Sequence, residues 1–174
     1  DRAIKISKIV QGGKSVYKWE PLREEIYNDI MTNAWNENKK AFTQTYKGKD
    51  LDASILLMED YGFINSKDSK YISTVKAIEK ELLKDGLMYR YKNEDDFGLP
   101  SSSFTVCTFW MINSLHKIGD KDKAKRLFEN LISYSNHLSL FSEDIDFETK
   151  DLLGNFPQAY SHLALIDTAI SLNN

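Results

Sequence analysis

Apolar residues recur three and four positions apart along most of this chain, and that spacing commits it to amphipathic helices. Ile4, Ile6, Ile9 and Val10 close a first helix, which breaks at Gly12-Gly13. Pro21 suits the first turn of a second helix, with Leu22, Ile26, Ile30, Met31 and Ala34 as its apolar stripe. Residues 51–60 read as a short helix that ends near Gly62. Residues 69–84 carry Ile72, Val75, Ile78, Leu82 and Leu83, and Asp85-Gly86 supplies a glycine stop. Residues 103–117 form the most apolar helix, followed by Gly119. Asp120 is placed to cap the next one, whose stripe is Ala124, Leu127, Phe128 and Leu131. A last helix is expected to start at Pro157.

Two extended pieces interrupt this pattern, residues 41–46 and 87–91, each with side chains alternating between faces. In the second, Tyr89 and Tyr91 are expected to point one way and Arg90 the other. No strand–helix–strand alternation and no internal repeat occurs, so the expected class is all-α, built from antiparallel helix pairs. The loops are unequal. Residues 85–102 and 136–156 are long connections, and long loops in a compact helical domain tend to carry function. Both hold charged side chains beside aromatics.

The 174 residues suffice for one domain or part of one, and 41% hydrophobic content is enough for a core. The net charge of -3 leaves no basic footprint, which argues against nucleic acid as a partner. The apolar runs are too short to span a bilayer, and no signal-peptide core is present. Cys107 is the single cysteine, which excludes an internal disulfide; flanked by Phe104, Val106 and Phe109, it reads as a small buried hydrophobe. A cytoplasmic location suits these facts. The chain opens at Asp1 already in helical register and without methionine, which reads as entry into the middle of a helix.

The candidate functional residues lie in the long loops and just before the short helix. Glu143, Asp144, Asp146 and Glu148 crowd one stretch. The local reading leaves two alternatives open: a solvated acidic turn, or a partly desolvated base where the apolar run of Leu138, Leu140 and Phe141 meets polar sequence. Arg90 either pairs with nearby Glu94, Asp95 or Asp96, or presents its fork of donors to vicinal hydroxyls between the rings of Tyr89 and Tyr91. Asp52 reads as a first-turn acid or a ligand contact. His116 and His162 have no partner at metal-ligand spacing, and His162, one turn after Gln158, reads as a structural histidine. Neither a metal nor a cofactor is expected, and no serine- or cysteine-nucleophile motif occurs.

The ordered segments "LREEIYNDI", "AFTQTY", "LDASILLM", "GLMYRY", "FTVCTFWMINSL", "LFSEDID" and "GNFPQAYSHLALI" are similar to a known set. They resemble the C-terminal half of the catalytic domain of glucoamylase-type glycoside hydrolases of family fifteen, which includes glucodextranases and trehalases. The resemblance covers nearly the whole chain and implies one partial domain, residues 1–174, of an α/α toroid of six helical hairpins. It also implies inverting hydrolysis of α-glucosidic bonds by two carboxylates. Glu143 matches the family's water-activating base, and Arg90 matches an arginine that binds sugar before the scissile bond. Asp52, Tyr89, Tyr91 and Trp110 are expected to help bind an α-linked glucose oligosaccharide or disaccharide. Asp144 and Asp146 are expected to support the loop, with Glu148 solvated. The family's general acid lies upstream of the segment matching "DRAIKIS", so these residues alone are expected to be inactive. "SSSF" at residues 101–104 departs from the acidic or glycine-containing sequence of many bacterial relatives. Exposed inner-helix surface would favour self-association or completion by a missing N-terminal segment. The competing class is a noncatalytic helical-hairpin module that binds a protein or oligosaccharide.

Overall fold

Helices form where the apolar spacing holds, and where it lapses the chain makes short antiparallel ladders. The computed structural model describes residues 1–10, 12, 16–96 and 98–173. Helix α1 (Arg2–Val10) is followed by α2 (Val16–Asn33), which starts well before the expected first-turn proline. Pro21 therefore lies inside α2, where its missing N–H costs one bond in an early turn. Strands β1 (Trp35–Asn36) and β2 (Ala41–Phe42) pair antiparallel, so only the first two residues of the expected 41–46 strand are in a ladder.

The short helix before Gly62 is a 3₁₀ helix, Ala53–Met58. Asp52 caps it, its carboxylate accepting the Ser54 N–H at 2.7 Å. Helix α3 (Ser69–Leu82) is capped in the same way by Asp68 and stops before the expected end at Lys84. Strand β3 (Leu83–Lys84) instead turns back on β4 (Leu87–Met88). Asp85 and Gly86 form that turn with φ of 50° and 79°, the left-handed pair that a two-residue hairpin needs. Asp-Gly serves a helix stop and a hairpin equally well, and here pairing between Leu83 and Met88 decides the outcome.

Strand β5 (Ser102–Phe104) leads without a break into α4 (Thr105–Ile118), which Gly119 closes at φ 102°. Asp120 precedes α5 (Lys121–Ile132) but does not cap it; its carboxylate accepts from Lys76 Nζ at 2.8 Å. The long connection after α5 holds β6 (Asp144–Asp146) and β7 (Leu152–Leu153), and the sheet order is β5-β6-β7. Helix α6 (Ala159–Leu172) starts two residues after the expected Pro157. The fold is mostly helical, as expected, with the extended pieces of the loops organised into ladders.

Helix α4 runs through the centre and packs on α5, α6, the 3₁₀ helix and β4. Every residue from Thr105 to Leu115 is buried except Trp110. Phe109 meets Phe128 of α5 at 6.4 Å between ring centroids and Phe141 of the long loop at 5.7 Å. Cys107 is fully buried, and burial pushes its thiol well above the usual range, so it packs as a small hydrophobe. Among the described residues no helix is long and apolar enough to cross a membrane.

Large apolar side chains also face outward. On α6 these are Tyr160, Leu163, Ile166 and Ile170; on α1 and α2 they include Ile9, Val10, Leu22 and Ile26. Phe109 joins the helical core to the acidic loop, so truncating it should damage both. Phe109→Ala is expected to lower unfolding free energy by about 3–5 kcal/mol in denaturant titration; a loss under about 1 kcal/mol would contradict this packing.

Candidate active site

Glu143 takes its position from backbone pairing on two sides. Its N–H donates to the Asn155 carbonyl at 2.9 Å, and its carbonyl accepts the Thr105 N–H at 2.9 Å. The next residue, Asp144, pairs with Phe104 of β5 and Leu153 of β7. The preceding Phe141 is buried in the core. Its N–H donates to His162 Nε2 at 3.2 Å, and its carbonyl accepts the Gln158 N–H at 3.0 Å. The other ring nitrogen, His162 Nδ1, lies 2.6 Å from the Gln158 carbonyl and is its donor. His162 is thus the structural histidine expected, tying α6 to the acidic loop.

The carboxylate of Glu143 is half-buried, and its Oε2 accepts from Asn155 Nδ2 at 2.7 Å and from the Asn155 N–H at 3.2 Å. It stands on the wall of a cleft of about 480 Å³, together with Arg90, Tyr91, Ser102 and Asp144. Arg90 and Tyr91 share this cleft because the ladder of β4 ends at Met88, and strict alternation of faces ends with it. The guanidinium carbon of Arg90 lies 5.6 Å from the Tyr91 ring centroid, and the Tyr91 hydroxyl donates to Asp95 at 2.5 Å.

Arg90 pairs with an acid from far earlier in the chain, not one of the nearby acids expected from the sequence. Its Nε is 3.6 Å from Asp52 Oδ2, and its carbonyl accepts the Ala53 N–H at 2.8 Å. Asp52 is buried, one oxygen capping the 3₁₀ helix and the other facing Arg90. It sits behind the arginine and away from the cleft surface. Tyr89 stacks on Phe147 at 4.2 Å, and Trp110 meets Tyr160 edge-on at 5.9 Å. Neither of these two expected sugar contacts lines the cleft.

The remaining acids divide by environment. Asp146 accepts the Glu148 and Thr149 N–H groups at 2.8 Å each, which hold its carboxyl below the usual range and fold the loop. Glu148 is exposed. Asp144 is different: burial raises its carboxyl above the ordinary value, a hydrogen bond from Ser102 Oγ at 2.7 Å opposes that, and the charge of Glu143 adds to it. Sequence reasoning missed Ser102 and Asn155 as site residues; both act through strand partners that no local pattern reveals. A larger hollow of about 610 Å³ lies between α1, α2 and residues 61–63. Its walls are mainly apolar, and Arg23 there pairs with Asp1 and Glu24, so the smaller cleft is the chemical candidate.

The sequence matches the profile of glycosyl hydrolases family 15 over residues 1–170. It is 41% identical to a trehalase of Thermoplasma acidophilum, over 99% of this chain and 30% of the relative. A trehalase of Mycobacterium tuberculosis is 40% identical, over 98% of this chain and 25% of its own. The chain therefore spans less than a third of the length of these relatives. Among solved structures, a wild-type glycosidase aligns with a TM-score of 0.78 over 94% of this chain and 46% of its own. A glycosidase variant in complex with glucose aligns at 0.80 with the same coverage. Both are 14% identical to this chain, so the likeness is one of fold.

Asp144 carries a pH signature. Its folded form holds a proton more tightly than the unfolded chain, so stability falls as pH rises through the window above 3.8. Asp144→Asn should raise the thermal midpoint at neutral pH, and that gain should disappear once pH falls below 3.8. A neutral-pH midpoint unchanged or lowered would contradict this.

Proposed function

This chain belongs to the glycosyl hydrolases of family 15, and on that basis we propose that it is the C-terminal part of an inverting α-glucosidase whose substrate is trehalose. The observation that carries the reading is the meeting of Glu143, Arg90 and Tyr91 on one cleft, although separate loops supply them. The names of its relatives supply the substrate.

In this reading Glu143 is the general base. A water held against its free carboxylate oxygen loses a proton to it and attacks the anomeric carbon from the face opposite the scissile bond. The glycosidic oxygen leaves with a proton from a second carboxylate, placed roughly 6.5–9.5 Å away to admit the water. As the resemblance implies, that acid belongs to polypeptide preceding residue 1. Arg90 supplies planar donors to adjacent hydroxyls of the sugar, and the Tyr91 ring gives its apolar face a surface. Asp52 holds Arg90 from behind, while Tyr89 packs on Phe147 and Trp110 on Tyr160.

The helices form part of an α/α toroid in this reading, and residues 1–174 are one partial domain. The rest of the relatives' length would cover the outward apolar faces of α1 and α6; without it, these faces drive self-association. The free, buried Cys107 accords with a cytoplasmic setting.

Trehalose joins two α-anomeric carbons, so inversion at one yields β-glucose while the other half departs as α-glucose. Proton NMR of the full-length protein acting on trehalose should show the two anomers in equal amounts before mutarotation. Appearance of α-glucose alone would rule out inversion. Glu143→Gln should lower kcat by about 10²–10⁴-fold. The purified 174-residue chain should release no glucose, and measurable turnover by it would overturn the assignment of the acid to a preceding segment.

A further inference from the structure

We propose that Asn155 is a positioning residue for Glu143, and that Gly154 is the gap that lets it serve. This rests on the reading of Glu143 as the base. A glutamate side chain has three rotatable bonds, and a base that must meet one water has to be held in a single rotamer. Asn155 supplies that hold with both of its donors. Nδ2 and the backbone N–H converge on the same oxygen, Oε2, at 2.7 and 3.2 Å. An ionised carboxylate only accepts, so the amide must present its nitrogen there. Among the described residues, Oε1 accepts from no protein donor, and it is the oxygen free to take a proton from water.

The two residues are also locked through the backbone, because the Asn155 carbonyl accepts the Glu143 N–H at 2.9 Å. The clamp and the clamped residue therefore move together. Gly154 closes the back of the arrangement. Its φ is +73°, and a Cβ built there would lie 3.0 Å from Glu143 Oε2 and 3.1 Å from Glu143 Cβ. Any side chain at 154 would press on the glutamate stem and turn the carboxylate away.

Asn155 is exposed, and substitutions at such positions seldom disturb folding. Its value is geometric, which makes the test clean. In the full-length enzyme acting on trehalose, Asn155→Ala should lower kcat by about 10- to 100-fold. KM should stay within about twofold and the thermal midpoint should be unchanged, since ground-state sugar contacts and folding are not involved. Asn155→Asp should be worse than alanine, because it sets a carboxylate against Oε2. In a Glu143→Ala background, Asn155→Ala should cost nothing further, because the group it positions is gone.

The proposal is overturned if Asn155→Ala keeps the wild-type kcat, or if its loss appears in KM. An equal loss in the Glu143→Ala background would also overturn it. A Glu143→Ala protein with wild-type kcat would be a separate outcome, sinking the assignment of the base itself.

Discussion

Two backbone hydrogen bonds on Glu143, one to Asn155 and one from Thr105, are the constraint on which the rest of the cleft depends. Thr105 is the first residue of α4, the buried central helix, and Asn155 stands just ahead of α6. The acid thus takes its position from the core through a three-stranded sheet rather than from a free loop. Phe141 carries the same load two residues earlier, with its ring against Phe109 and its backbone held by α6. The base proposed to act on one face of a sugar ring needs this kind of support, because small misplacements are costly.

The opposite wall is built from different material. Asp52 is buried and has two tasks, capping the 3₁₀ helix and facing Arg90. Using one carboxylate for both ties the arginine to a segment far away in sequence. The Ala53 N–H on the Arg90 carbonyl adds a main-chain tie to the same place. Arginine side chain and backbone are therefore registered against one fixed point, while its outer face remains open to the cleft. The two walls meet without sharing a strand: α4 packs on the 3₁₀ helix and β4 of one wall and on β5 of the other, and β4 also touches β5 directly.

Much of the helical frame was legible because burial repeats every three to four residues along α3 and α5, while α4, buried almost all round, stood out as the most apolar run. The departures have local physical causes. Asp85-Gly86 favours left-handed backbone in a hairpin as readily as at a helix end, and only the pairing of Leu83 with Met88 chooses between them. The β5-β6-β7 sheet was hidden because strands of two or three residues are too short for alternation to show. Glu143 stood out as an acid beside an apolar run, yet its local sequence fits a solvated turn equally well. The resemblance to family fifteen separated it from its three acidic neighbours. Asn155 gave no such signal, since its partnership with Glu143 exists only once β6 and β7 have paired.

Glu143 is proposed to activate water on the face opposite the scissile bond, and chemical rescue can test that role. In the full-length protein with Glu143→Ala, azide can enter the space left by the carboxylate, and an anion needs no base. Attack of azide on the anomeric carbon of trehalose, with departure of protonated glucose, should restore turnover and give β-glucosyl azide, identified by NMR. Rescue yielding the α-azide, or azide concentration having no effect on rate, would contradict the role assigned to Glu143.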